Sequence, residues 1–82
     1  MKNCLTILDV RLQRRGDRFL VKTTNLIAEL EVAHPTRGVV LIATNRRQHR
    51  WHKQVVGVFQ VGDNFYGEPV VTIQRMKSRP TR

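Results

Sequence analysis

The sequence predicts an all-β domain: a small five- to six-stranded antiparallel sheet, curled on itself or closed into an OB-like or SH3-like barrel. Three observations lead there. Short apolar/polar alternations recur along the chain, turns rich in Gly, Pro and Asn separate them, and no long amphipathic helix is available to cover a flat sheet. Eighty-two residues allow one domain with a thin core, which favours strands that wrap around one another. We draw the domain as 1–76, followed by a basic C-terminal tail at 77–82.

The first element is a hairpin spanning Leu5 to Thr24. Pairing Gln13 with Arg18 sets Leu12 against Phe19, Val10 against Val21 and Leu8 against Thr23, and places Asp9 opposite Lys22 on the other face. Its turn is Arg14-Arg15-Gly16-Asp17, with Gly where a left-handed residue is needed. The tripeptide Arg15-Gly16-Asp17 also spells the integrin-binding sequence, but turn chemistry accounts for it.

Leu26 to Ala33 reads as a strand in which Leu26, Ala28, Leu30 and Val32 alternate with Glu29 and Glu31; the competing reading is a short helix over 25–33, N-capped by Asn25 and stopped by Pro35. The strand is preferred because a turn, His34 to Gly38, leads into the β-branched run Val39 to Thr44. Pairing Val32 with Val39 sets Leu30 against Leu41 and Ala28 against Ala43. Asn45 to Lys53 lacks apolar periodicity and reads as a basic loop, with a short helical turn over 46–53 as the alternative. Val55 to Val61 and Val70 to Met76 then form two strands joined by a wide loop from Gly62 to Pro69, and Gly57 marks a bend of the kind small barrels use to close. Phe19 and Phe59 belong to the core. Edge strands left exposed by so small a sheet would favour a homodimer or higher homo-oligomer.

Charge narrows the function. Fifteen Lys and Arg against six Asp and Glu leave a net +9, which calls for a polyanionic partner. Acids are absent from Val32 through Gly62, a stretch that carries Arg37, Arg46, Arg47, Arg50 and Lys53; other clusters are Arg11, Arg14, Arg15, Arg18 and Lys22, and Arg75, Lys77, Arg79 and Arg82. Eleven of the fifteen cations are Arg, whose planar fork binds phosphate bidentately and stacks on bases. Trp51, inside His49-Arg50-Trp51-His52-Lys53, suits base stacking beside neutralised phosphates. The competing fate for Trp51 is as a plug in the end of the barrel. Of the neighbours Phe65 and Tyr66, one should be buried, and Tyr66 is the one expected at the surface.

The expected function is therefore non-enzymatic binding of single-stranded DNA or RNA with weak sequence specificity. Arg46, Arg47, Arg50 and Lys53, supported by Arg14, Arg15 and Arg18, neutralise phosphates while Trp51 and Tyr66 stack bases. Single strands are favoured over duplex because no basic helix is visible to fill a major groove. The alternative is an interaction or assembly module engaging an acidic protein partner through a strand edge and a basic face. A small basic ribonuclease using His49 and His52 is a third reading, but no carboxylate in that segment can orient either imidazole. Glu29 and Glu31 are expected in intramolecular salt bridges. His49 and His52 lack a third ligand nearby, so neither a metal nor a cofactor is expected. Cys4, the sole cysteine, cannot form an internal bridge and reads as a small buried hydrophobe in a reducing compartment, cytoplasmic or nucleoid-associated. Asp9 interrupts the N-terminal apolar stretch and no run of apolar residues is long enough to span a bilayer, so no membrane association is expected.

Overall fold

The computed structural model describes residues 4–44 and 51–76, which form ten short strands and two single 3₁₀ turns. In chain order the strands are β1 (Cys4–Leu5), β2 (Ile7–Asp9), β3 (Arg18–Lys22), β4 (Ile27–His34), β5 (Val39–Thr44), β6 (His52–Val55), β7 (Val58–Gln60), β8 (Asn64–Phe65), β9 (Glu68–Pro69) and β10 (Thr72–Met76). The 3₁₀ turns are Val10–Leu12 and Pro35–Arg37. No helix among the described residues is long and apolar enough to cross a membrane.

Six strands make one antiparallel sheet in the order β1-β10-β3-β4-β5-β6, so the expected all-β architecture is present. Both edges of this sheet continue into a second one. β1 bends at Thr6 into β2, β6 bends through Val56 and Gly57 into β7, and β2 and β7 pair with each other. The sheet is thereby curled over its own apolar face, although the ladders break at both bends and the barrel is not closed. The second bend depends on two glycines in contact. Gly38, at φ 67°, accepts hydrogen bonds on its carbonyl from the N–H groups of Val56 (2.8 Å) and Gly57 (3.2 Å), an approach that leaves no room for a side chain.

The enclosed core contains Leu8, Val10, Phe19, Val21, Leu26, Ala28, Leu30, Val32, Val40, Ile42, Phe59, Phe65, Val70 and Ile73. Alternation in β3 and β4 assigns the inward residues as expected, and Leu26 to Ala33 is strand. Three of the expected pairings do not form. β3 pairs with β4 and β10, and β2 pairs with β7, so the hairpin from Leu5 to Thr24 is absent. The reason is local: the Asp9 carboxylate accepts from the Arg11 N–H (3.0 Å), caps the 3₁₀ turn at Val10–Leu12 and ends β2. Leu12 consequently lies 79% exposed rather than against Phe19. Between β4 and β5 the ladder is offset by one residue. Val32 faces Val40 and Leu30 faces Ile42, because a bulge intervenes before His34 meets Val39. Strands β7 and β10 do not form a hairpin either, since each has another partner. Cys4 is exposed at the sheet edge and not in the core.

The segment between β7 and β10 folds into a small hairpin of its own, β8–β9. The Glu68 carboxylate in β9 accepts from the Thr23 hydroxyl, the Asn25 N–H (3.0 Å) and the Asn25 side-chain amide (3.2 Å), while Thr23 Oγ1 accepts from the Leu26 N–H (3.0 Å). This network fastens the β3–β4 turn to the hairpin. Glu68→Ala is expected to cost about 2 kcal/mol, because Thr23 is buried and loses a charged acceptor. Glu68→Gln should cost less, and urea denaturation of the two variants tests the difference.

Candidate nucleic-acid interface

The two ends of the sheet carry different chemistry. β4 starts and β5 finishes at one end, where Ala28 faces Thr44, and β6 starts there with His52 opposite Ile42. The basic segment 45–50 connects these strands; Arg46, Arg47 and Arg50 lie in it, outside the described residues. Trp51 immediately precedes β6 and is 41% exposed, so its indole does not plug the core. Lys53 belongs to β6, not to a loop or helical turn; it pairs with Leu41 on the face turned away from the core and is exposed.

Tyr66 belongs to the same end. It occupies a two-residue turn with Gly67 between the paired residues Phe65 and Glu68, and both turn residues have positive φ, 53° and 88°. That is the geometry a tight hairpin requires, so the tyrosine's left-handed backbone is imposed by the turn. Phe65 is buried and Tyr66 is 47% exposed, the expected division. Its ring is fixed from two sides: an edge-to-face contact with Phe65 at 4.8 Å, and a 2.7 Å hydrogen bond between the Tyr66 hydroxyl and His52 Nε2. An exposed ring held in this way offers a stacking surface without loss of side-chain entropy on binding. The part played by His52 could not be read in the sequence, because His52 lies in β6 and Tyr66 in the β8–β9 turn, which share no ladder.

Arg14, Arg15 and Arg18 are at the other end, where β3 begins and β10 finishes with Met76 opposite Arg18. Arg14 and Arg15 are exposed in a turn closed by Asp17, whose N–H donates to the Arg14 carbonyl (3.0 Å) and whose carboxylate accepts from the Arg14 N–H (2.9 Å). Arg18 serves the fold instead. Its guanidinium is 2.6 Å from Glu29, its side chain is only 18% exposed, and its Nε is buried without a hydrogen-bond partner. Lys22, adjacent to this cluster in sequence, sits at the far end of β3.

The acids are largely engaged in holding turns and strands. Asp9 binds Arg11, Asp17 binds Arg14 and lies 3.8 Å from Arg75, Glu29 binds Arg18, Asp63 accepts from the Gln60 N–H, and Glu68 binds Thr23 and Asn25. Hydrogen bonding from the Arg11 side chain holds the Asp9 carboxyl below the usual carboxylate range. Among the described residues, Arg14, Arg15, Arg37 and Lys53 form no ion pair, so their charge faces solvent. Comparison with protein-family models, with curated proteins and with solved structures gives no match.

Proposed function

We propose that this protein binds single-stranded DNA or RNA without catalysing a reaction and with weak sequence preference. The observation that carries this reading is the exposed Trp51, the sole tryptophan, which directly follows Arg46, Arg47 and Arg50 in sequence and stands two residues before Lys53 of β6. Bases stack on Trp51 and on the fixed ring of Tyr66, while the arginines of the segment and Lys53 neutralise the flanking phosphates. Unstacked bases are the suitable ligand because a flat exposed ring reads a base face, which duplex DNA hides. The exposed thiol of Cys4 suits a reducing compartment, the cytoplasm or nucleoid.

Trp51→Ala tests the stacking role. Losing one base–aromatic stack removes about 1–3 kcal/mol, so affinity for oligothymidylate should fall by about 5- to 150-fold with an unchanged thermal melt. An unaltered affinity would remove the aromatic half of the proposal. A second reading, docking of an acidic protein partner, is favoured by β6, an edge strand whose four residues are all exposed. It predicts a discrete protein complex and no response of Trp51 emission to nucleic acid.

A further inference from the structure

We infer that the arginine end of the sheet, formed by Arg14, Arg15 and Arg37, is a second and separate phosphate-binding surface, so that one molecule bridges two nucleic-acid segments. This rests on the nucleic-acid reading and adds to it a division of labour between the two ends.

The fold brings these three residues to one end from distant points in the chain. Gly16 N–H donates to the Val32 carbonyl (2.9 Å) and Val32 N–H donates to the Asp17 carbonyl (2.9 Å), which docks the Arg14–Asp17 turn on the last residues of β4. The 3₁₀ turn Pro35–Arg37 follows β4 directly and packs against the 3₁₀ turn Val10–Leu12. All three arginines are exposed and none is in an ion pair among the described residues. Their neighbours behave differently: Arg11 is held by Asp9, and Arg75 lies 5.0 Å over the Phe19 ring and donates to Gln13 (3.0 Å). The end thus combines arginines engaged by Asp9, Phe19 and Gln13 with three whose side chains are in no ion pair among the described residues. It presents cations without an exposed aromatic ring, which suits phosphate and not bases.

Two features separate this surface from the Trp51 end. β5 runs between them for six residues, about 20 Å of strand. Across the outer face between them Arg18 is already paired with Glu29, and the inner face is covered by β2 and β7, so among the described residues neither face continues the row of unpaired arginines. One anionic strand held at each end needs no such continuation.

The test mixes donor-labelled and acceptor-labelled oligothymidylates with the full chain, recording energy transfer and Trp51 quenching together, with sedimentation to count protein chains per particle. Wild-type protein should give energy transfer in particles holding one protein chain. Arg14→Gln/Arg15→Gln/Arg37→Gln should weaken the transfer-forming step by on the order of tenfold, with Trp51 quenching and the thermal melt retained. Quenching without transfer in the wild type, transfer that survives the triple variant, or transfer only in particles with two protein chains would overturn the bridging inference and leave the binding proposal standing. Absence of both signals in the wild type would overturn the two together.

Discussion

Phe19→Ala is expected to destabilise the fold by about 3–5 kcal/mol, the range for removing a fully buried aromatic side chain. Phe19 is completely shielded from solvent and lies on β3, which is hydrogen-bonded on both sides, opposite Leu30 on β4 and Arg75 on β10. The small core limits how far its neighbours can relax into the space. Losing the ring also removes the surface over which the Arg75 guanidinium is stacked, so the damage reaches the arginine end. At about 4–8 °C per kcal/mol for a domain of this size, the melting temperature should drop by at least about 12 °C. Phe19→Leu, which retains most of the apolar volume, should lose much less. Equal losses in the two variants, measured by urea denaturation, would show that the site is not tightly packed.

Gly38→Ala should cost about 2–4 kcal/mol, combining a left-handed backbone penalty with a collision. A Cβ at Gly38 would meet the Gly57 Cα and N at 2.9 Å, both backbone atoms with no side chain to move aside. Gly57 supplies the control. Its φ of 68° is almost identical, but a Cβ there meets nothing within 4 Å, so Gly57→Ala should cost only about 1 kcal/mol. The difference isolates the close approach that turns β6 into β7. Equal unfolding free energies for the two alanine variants would contradict the idea that the bend depends on backbone contact.

Alternation made the core legible before any coordinates. Phe19, Val21, Ala28, Leu30 and Val32 are buried as their spacing implies, because a side chain's face depends only on its own strand. Pairing is different, since it depends on which strand arrives as neighbour. A hairpin from Leu5 to Thr24 satisfied both apolar and charge matching, yet the Asp9 cap ended β2 early and β3 took β4 and β10 as partners. The offset between β4 and β5 has a similar origin: one bulged residue moves Val40 and Ile42 to the inner face in place of Val39 and Leu41, and a uniformly apolar strand carries no pattern to reveal it. The same limit applies to function. Tyr66 could be assigned to the surface from its neighbour Phe65, but its hydrogen bond to His52 joins the β8–β9 turn to a strand of another sheet. Likewise Arg14, Arg15 and Lys22 are close in sequence, yet the length of β3 places Lys22 at the opposite end, while Arg37 joins the other two through tertiary structure alone.

Titration of the full chain with labelled single-stranded DNA, single-stranded RNA and duplex DNA at two salt concentrations, following Trp51 emission, tests most directly whether an exposed ring among cations grips unstacked polynucleotide. If about five phosphates are engaged, log K for the single strands should fall against log salt with a slope near −3.5, quenching should accompany binding, and duplex should bind more weakly. Affinity indifferent to salt, or association that leaves the indole emission unchanged, would contradict it.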